Sequence, residues 1–232
     1  SSMNREIAQK LYRYFMNQFL LGLTNINEMM VLDNFNTYKR VILKALEICD
    51  IDITDIKARK EQIPAPVAIP GQGDISFQLV DVLKFKTYHR NNKDVMFDLD
   101  LEESSGTRKL FQILIRLLDV VKNRKSIMMD EFDLGLHTRL ADFILDLIHA
   151  SEGSQLLFSS HNTNLIDVKR LRRDQIVFVN KSEDGATEVY SLYDFKDFRE
   201  NMDAEKGYIQ GRFDAVPYVD SSVDSIKHLL EE

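Results

Sequence analysis

The chain has 232 residues, of which 44% are hydrophobic and 29% charged, and its formal net charge is −7. This composition is ordinary for a globular protein, and the acidic balance excludes a general attraction to nucleic acid or anionic lipid. Cys49 is the single cysteine, so no disulfide can form within the chain, which favours a reducing, cytoplasmic setting. No apolar run approaches the about 20 residues that a membrane-spanning helix needs, so we expect no membrane association.

The first third of the chain predicts helices followed by a loop. Apolar residues recur at helical spacing over residues 4–22 and 34–49, which predicts two amphipathic helices. Residues 51–62 are predicted to be extended or irregular. Residues 64–74 contain three prolines and two glycines and predict a loop. We therefore divide the chain into a helical segment at 1–63, a Pro/Gly-rich loop at 64–74 and an α/β subdomain at 75–232.

The α/β subdomain opens with a predicted hairpin. Ile75–His89 and Val95–Leu99 are strand-like, and Arg90–Lys93 supplies a polar turn between them. From Thr107 onward helical and strand patterns alternate, which predicts a parallel sheet with right-handed crossovers. The predicted helices lie near 107–123 and 136–150, and the predicted strands near 126–130, 155–160 and 175–180. A second hairpin is predicted around the polar turn at 181–185, and a short acidic helix at the C-terminus.

The most informative segment is Ser126–Glu131, where a short apolar run ends in two adjacent carboxylates. A buried strand would deliver Asp130 and Glu131 to the C-terminal edge of the sheet, where open α/β sheets bind ligands. One acid can hold Mg²⁺, directly or through water, and the next can orient or deprotonate an attacking water. The plain alternative is a strand that ends in a solvated acidic loop.

Two further segments carry polar groups that suit phosphate chemistry. Glu103–Lys109 places small residues before an apolar helix, so that free backbone N–H groups at the helix start can bind phosphate. An ordinary Ser/Thr helix cap is the alternative. Gln155–Asn162 is another apolar strand, which ends in two hydroxyls and His161. A lone histidine at a strand end is more often structural than catalytic.

The order and spacing of these segments resemble the ABC-type ATPase head. Ser104-Ser105-Gly106 resembles the signature motif, Met128–Glu131 resembles Walker B, Leu134–His137 occupies the place of the D-loop, and His161 resembles the switch histidine. Over about residues 5–220 the chain resembles bacterial AAA-family ATP-binding proteins related to the overcoming-lysogenization-defect (OLD) ATPases, many of which are linked to phage defence. Further family-like motifs lie at 172–178, 193–195 and 207–213.

The resemblance implies a fold, a set of site residues and two ligands. The fold would be the C-terminal part of a P-loop NTPase, with a mainly parallel sheet flanked by helices and a helical segment before it. Asp130 would hold Mg²⁺, whereas Glu131 and His161 would be catalytic. Ser104, Ser105 and Gly106 would contact the γ-phosphate of ATP bound to a second ATPase head, so a homodimer or higher oligomer is expected.

One motif of this ATPase class does not occur in the sequence. No Gly-x-x-x-x-Gly-Lys-Ser/Thr segment is present, and Gly71-Gln-Gly73 lacks the lysine that grips phosphate. In the resembling family this loop lies in an N-terminal lobe. We therefore expect a separate P-loop lobe as a partner, and we expect weak nucleotide binding and little hydrolysis from the chain alone.

Other hypotheses stay open beside an ATPase head that regulates a partner effector. The chain could be a non-hydrolytic interaction module that only docks to a partner. It could also be the ATPase part of a defence nuclease, although no further Asp/Glu cluster at strand ends stands out. Nucleic-acid contact is open but unsupported, because a solvated face explains the basic cluster better. That cluster consists of Lys169, Arg170, Arg172 and Arg173.

Overall fold

A computed structural model describes most of the chain, as two compact units formed by Ser1–Ser159 and Ser160–Glu232. The described residues are 5–12, 19–21, 28–68, 75–182, 184–199, 201–217 and 222–231. In the first unit, residues 5–12 are helical. The other elements of that unit are β1 (Phe19–Leu21), α1 (Glu28–Ile48), β2 (Ile53–Ala68), β3 (Ile75–His89), β4 (Asn92–Asp98), α2 (Leu99–Glu102), α3 (Ser105–Asn123), β5 (Ser126–Met129), α4 (Thr138–His149) and β6 (Gln155–Phe158).

The first unit contains a small parallel sheet in the order β1-β5-β6. β5 pairs with β1 on one side, and on the other side it pairs with β6 from Ser126↔Gln155 to Met129↔Phe158. The inward face of β5 is formed by Ile127 and Met129, which are buried. Because parallel strands end at one common edge, the residues that follow β5 and β6 become neighbours.

The second sheet of this unit is antiparallel, in the order β2-β3-β4. β2 and β3 pair from Ile53↔His89 to Ala68↔Ile75, and β4 pairs with the end of β3. Phe85 of β3 lies 5.0 Å from Phe35 of α1 and 5.0 Å from Phe111 of α3, between ring centroids. This aromatic cluster packs the base of the hairpin against α3, the helix that follows the predicted signature motif.

Several predicted elements are confirmed, and the overall class is mixed α/β as expected. The hairpin predicted at 75–99 forms as β3 and β4, and the predicted helices near 107–123 and 136–150 form as α3 and α4. The expectation of a mainly parallel sheet is wrong for the described residues, because the parallel strands are short and the longest strands pair antiparallel. The physical reason is local, since β2 and β3 follow each other directly and can pair as a hairpin.

Two predicted elements at the start of the chain are corrected. The helix predicted over 4–22 is present at 5–12, but Phe19–Leu21 forms β1, because pairing with β5 overrides helical spacing. The remaining residues of that prediction lie outside the described residues. The loop predicted at 64–74 is wrong over its first part, because residues 64–68 continue β2. The rest of that loop also lies outside the described residues. As a domain division, the three predicted segments stay a prediction.

Proline is tolerated in β2 because this strand lies at the edge of the described sheet. Pro64 and Pro66 are opposite Leu79 and Phe77 of β3. Residues two apart in a strand direct their N–H groups to the same side, so both missing donors can lie on the open edge. The two prolines are therefore compatible with a continuous strand from Ile53 to Ala68.

The second unit is built around a hairpin and an aromatic core. Its elements are β7 (Val177–Lys181), β8 (Thr187–Ser191), α5 (Ala204–Ile209) and α6 (Val223–Glu231). The rings of Phe178 and Phe213 stack with centroids 5.0 Å apart. A Cβ on Gly207 would lie 3.0 Å from the Phe213 ring, so a larger residue there would require the ring to shift. Gly207 and Phe213 of the family-like motif at 207–213 thus have a packing role.

Two arginines of the basic cluster have structural partners within the second unit. Arg172 forms an ion pair with Asp174, with 2.8 Å between Nη2 and Oδ2. Arg173 donates to the carbonyl of Phe195 at 2.7 Å and lies over the ring of Phe198. These contacts indicate that the two arginines stabilise the second unit, and they do not favour a nucleic-acid interface. None of the described helices has the length and apolar character needed to cross a membrane.

Asp98 joins the hairpin to the segment before Ser104, and its charge stabilises that junction. Its carboxylate accepts hydrogen bonds from Lys86 Nζ at 2.9 Å and from the Asp100 N–H at 2.9 Å. Burial raises the pKa of Asp98, but the hydrogen bonds from Lys86 and the backbone outweigh burial and hold the pKa below its ordinary value. Stability from this group is therefore present above the ordinary Asp pKa and is lost as the pH falls through the lowered one.

We expect Asp98→Asn to lower the free energy of unfolding by about 1–2 kcal/mol at pH 7. Asparagine keeps an oxygen that can cap α2, so the loss isolates the charged bond to Lys86. The difference from wild type should shrink below about pH 4, where Asp98 of the unfolded chain takes up a proton, and it should disappear as the pH falls through the lowered pKa of the folded state. Urea unfolding at pH 7 and pH 3 measures this. An equal difference at both pH values would contradict the role given to the charge.

Candidate functional site

The two adjacent acids lie where the sequence predicts, directly after β5 at the carboxyl edge of the parallel sheet. Asp130 is exposed and Glu131 is half-buried. The neighbouring strand β6 ends at Phe158, so Ser159 lies beside the acids. We call residues 130–133 the acidic turn. Its position at the end of a parallel strand is the usual place for a ligand-binding loop in α/β proteins.

Ser159 is bonded to the acidic turn by both its backbone and its side chain. Its N–H donates to the Met129 carbonyl at 3.0 Å, and its carbonyl accepts from the Phe132 N–H at 3.3 Å. Its hydroxyl donates to Asp130 Oδ1 and accepts the Glu131 N–H at 2.9 Å. One residue at the end of β6 therefore contacts every residue from Met129 to Phe132.

Glu131 has a backbone conformation that is rare for a residue with a side chain. Its φ is 45°, in the left-handed region, which costs about 1–3 kcal/mol for a non-glycine residue. Its carbonyl accepts from the Leu134 N–H at 3.1 Å and from Lys109 Nζ at 3.4 Å. These bonds, with the one that the Glu131 N–H donates to the Ser159 hydroxyl, hold the strained peptide. Strain of this kind is concentrated at functional sites.

Phe132 anchors the acidic turn in the core. It is fully buried, and its ring packs edge-to-face on Phe158 with centroids 4.5 Å apart. Asp133 is also buried, and its carbonyl accepts from the Leu136 N–H at 2.8 Å. The side chain that follows Glu131 thus points inward, which leaves the two acids at the surface of the turn.

The predicted signature residues form the start of α3. The Ser104 hydroxyl accepts from the Thr107 N–H at 3.1 Å, so Ser104 is the helix cap that the plain alternative expected. Ser105 is exposed at the first helical position. A Cβ on Gly106 would lie 3.3 Å from the carbonyl oxygen of Gly135, so this glycine permits a close approach to the loop after the acidic turn.

The structure therefore brings two of the three predicted loops together within the first unit. α3 reaches the acidic turn through Lys109, and its first turn packs against Gly135. His161 belongs to the second unit, where it is exposed. Next to it, Asn162 caps the short helical turn Thr163–Leu165. The placement of His161 relative to the acids stays a prediction.

His137, in the D-loop position, is a helix cap. Its Nδ1 accepts from the Arg139 N–H at 3.2 Å and so caps the start of α4. The nitrogen that accepts cannot carry a proton in this arrangement. The structure thus supports the interpretation of a histidine at a helix start, and it gives His137 a role in positioning α4 after the acidic turn.

Sequence reasoning noted Ser159 only as one of two hydroxyls at the end of a strand, and it gave Lys109 no role. Ser159 could have been found from its position, because a hydroxyl at the end of the neighbouring parallel strand faces the end of β5. The position of Lys109, five residues after the helix cap Ser104, carries no comparable signal. Its contact with Glu131 depends on how α3 crosses the sheet, which no local pattern specifies.

Asp130 has the chemistry of a Mg²⁺ ligand. Its Oδ1 accepts from Ser159, and its Oδ2 has no hydrogen-bond partner among the described residues. Mg²⁺ prefers oxygen ligands and keeps much of its water, so it is commonly held by one or two carboxylates together with phosphate oxygens. Over the described ranges, no group of three or more His, Cys, Asp or Glu could hold a metal. The exposed carboxylate at the sheet edge could therefore supply one oxygen ligand to such a metal.

Comparison with protein families identifies the domain that carries this site as an AAA domain. Residues 13–167, more than half of the chain, match the family described as AAA domain, putative AbiEii toxin, Type IV TA system. The chain belongs to this AAA-domain family. The matched range includes the acidic turn, the start of α3 and His161.

Comparisons with curated proteins and with solved structures do not identify a family. A search of curated proteins finds no match. A solved structure from a study of ATP-driven dimerization and DNA-stimulated activation of SMC ATPases is 15% identical, with a TM-score of 0.43. That similarity covers 81% of this chain and 99% of the other.

Proposed function

We propose that this chain is the part of an ABC-type ATPase head that supplies the acidic turn, the signature turn and the switch histidine. ATP would be bound and hydrolysed at an interface between two such heads. The observation that carries the proposal is the acidic turn itself, bonded to Ser159 and in contact with α3 through Lys109. Membership of the AAA-domain family supports it.

Each acid of the turn has a separate task in this proposal. Asp130 would hold Mg²⁺, directly or through a bound water, with Oδ2. The metal would neutralise charge on the phosphate oxygens. Glu131 would orient or deprotonate the attacking water, which is mainly a matter of position because the transition state of phosphoryl transfer is loose. His161 would donate a hydrogen bond to the γ-phosphate.

The start of α3 would act on the nucleotide of the opposite head. Its first N–H groups lie at the positive end of a 19-residue helix, an arrangement that favours phosphate. Ser104, Ser105 and Gly106 would contact the γ-phosphate there. The same helix contacts Glu131 through Lys109. Phosphate binding at the signature turn would therefore be coupled to the position of the catalytic acid within one subunit.

A partner must supply the loop that grips the β- and γ-phosphates, because the sequence contains no such motif. We propose a P-loop lobe of the same ATPase as that partner. A relationship to the OLD ATPases and regulation of an effector in phage defence complete the proposal. The family description as a putative toxin of a type IV toxin–antitoxin system supports a defence setting.

A second candidate is a non-hydrolytic interaction module, which the lack of a P-loop lysine favours. Two measurements distinguish the interaction module from the ATPase: the rate of ATP hydrolysis, and dimerisation followed by light scattering. We expect the 232-residue chain alone to bind ATP weakly and turn over little. Combined with a P-loop lobe encoded next to it, the chain should hydrolyse Mg²⁺–ATP and dimerise when ATP is added. An assembly that neither binds ATP nor dimerises would contradict the ATPase, and rapid turnover by the chain alone would contradict the need for the lobe.

A further inference from the structure

The Ser159 hydroxyl connects two consecutive residues of the acidic turn across neighbouring strands. It accepts the Glu131 N–H at 2.9 Å and donates to Asp130 Oδ1. A hydroxyl has a single proton, and the Glu131 N–H already uses one of its lone pairs. The proton must therefore point to Asp130. Both bonds exist only while the hydroxyl keeps this one orientation.

The backbone of Ser159 is held by hydrogen bonds that do not involve its hydroxyl. Its N–H and its carbonyl continue the β5–β6 pairing beyond the strand ends, to Met129 and Phe132. These two backbone bonds already fix the local register of the strands. The hydroxyl is thus not needed for the pairing, and its bonds act on the geometry of the two acids alone.

Two consequences follow for those acids. The bond to Oδ1 sets the direction of the Asp130 carboxylate, so that Oδ2 is the oxygen left for a ligand. The bond from the Glu131 N–H helps to hold that residue at a φ of 45°, which it would not adopt without partners. The direction of the Glu131 side chain depends on this backbone conformation.

We propose that Ser159 is a positioning residue for both acids: it aims the metal-binding oxygen of Asp130 and holds the backbone of Glu131. This inference rests on the proposed function for its metal-binding half, and on backbone geometry for the other half. Residues that orient a metal ligand typically contribute about 10–100-fold to metal affinity or activity. A loss of that size is expected when the hydroxyl is removed.

The test compares Ser159→Ala, Ser159→Thr and a matched control, Ser126→Ala. Threonine keeps the hydroxyl, and the exposed position of Ser159 has room for the extra methyl group. Ser126 lies at the opposite end of β5, where its hydroxyl contacts Gln155 at 3.4 Å. The control therefore removes a hydroxyl from the same sheet without touching the acidic turn.

The first measurement uses the full 232-residue chain without nucleotide. Amide hydrogen exchange of Glu131, followed by NMR, should be about five- to tenfold faster in Ser159→Ala, because the acceptor is lost. It should stay near the wild-type rate in Ser159→Thr and Ser126→Ala. An unchanged rate in Ser159→Ala would overturn the positioning of Glu131, as would an equal increase in the control.

The second measurement uses Mn²⁺ as the probe, bound together with ATP to the chain assembled with its P-loop lobe and followed by electron paramagnetic resonance. Mn²⁺ affinity should fall about 10–100-fold in Ser159→Ala and recover in Ser159→Thr. Equal affinity in wild type and Ser159→Ala would overturn the positioning of Asp130. Absence of Mn²⁺–ATP binding to the wild type would contradict the proposed function and the metal-binding half, while the exchange measurement still decides the other half.

Discussion

Replacing Glu131 by Gln is expected to slow ATP hydrolysis by about 10²–10⁴-fold in the assembled ATPase. Glutamine keeps the size of the side chain and the backbone bonds to Ser159 and Lys109, but it cannot accept a proton from the attacking water. ATP binding should persist, because Glu131 is not expected to hold the metal. Single-turnover phosphate release measures the chemical step, and retention of labelled ATP measures binding.

Glu152→Gln is the matched control for this variant. Glu152 is exposed in the connection between α4 and β6. The control makes the same Glu-to-Gln substitution at a position outside the acidic turn. Its turnover should equal that of the wild type. Unchanged turnover in Glu131→Gln would contradict a catalytic role for Glu131. A loss of ATP binding in that variant would show that Glu131 contributes to binding ATP rather than to the chemical step.

Replacing Phe132 by Ala is expected to lower the free energy of unfolding of the first unit by about 3–5 kcal/mol. The ring is fully buried and packs on Phe158, so its removal leaves a cavity beneath the acidic turn. The turn would lose the contact that opposes the strain at Glu131. Urea unfolding monitored by circular dichroism provides the measurement.

Phe132→Leu separates lost volume from lost aromatic geometry. Leucine fills part of the cavity, so its cost should be clearly smaller than that of alanine. If the alanine variant cost less than about 1 kcal/mol, the residue would not anchor the turn, and the turn would have to be held by its hydrogen bonds alone.

The parts of the site that depend on local pattern could be predicted from the sequence. The apolar run at 126–129 predicts a strand, and the two acids after it must then lie at a sheet edge. The start of α3 is predicted equally well, because small residues before a periodic apolar run are typical of a helix cap. These signals are contained within about ten residues each.

The parts that depend on distant pairing could not be predicted. Phe19–Leu21 becomes a strand only because β5, more than 100 residues later, pairs with it. The extent of β2 depends on its place at a sheet edge, which local proline rules do not reveal. The left-handed conformation of Glu131 is set by partners on β6 and α3, so it has no signal in its own segment.

The most direct test mixes two inactive forms of the assembled ATPase. Glu131→Gln removes the catalytic acid, whereas Ser105→Glu places a negative charge where the opposite head's γ-phosphate would bind. A glutamate at this first helical position suits the positive end of α3, so the second variant should fold. Each variant alone should be nearly inactive.

If the acidic turn and the signature turn of different subunits complete one site, half of the dimers in an equal mixture are mixed and contain one intact site. The mixture should then recover about a quarter of the wild-type hydrolysis rate. A mixture no more active than either variant alone would contradict a shared ATP site between two copies of this chain.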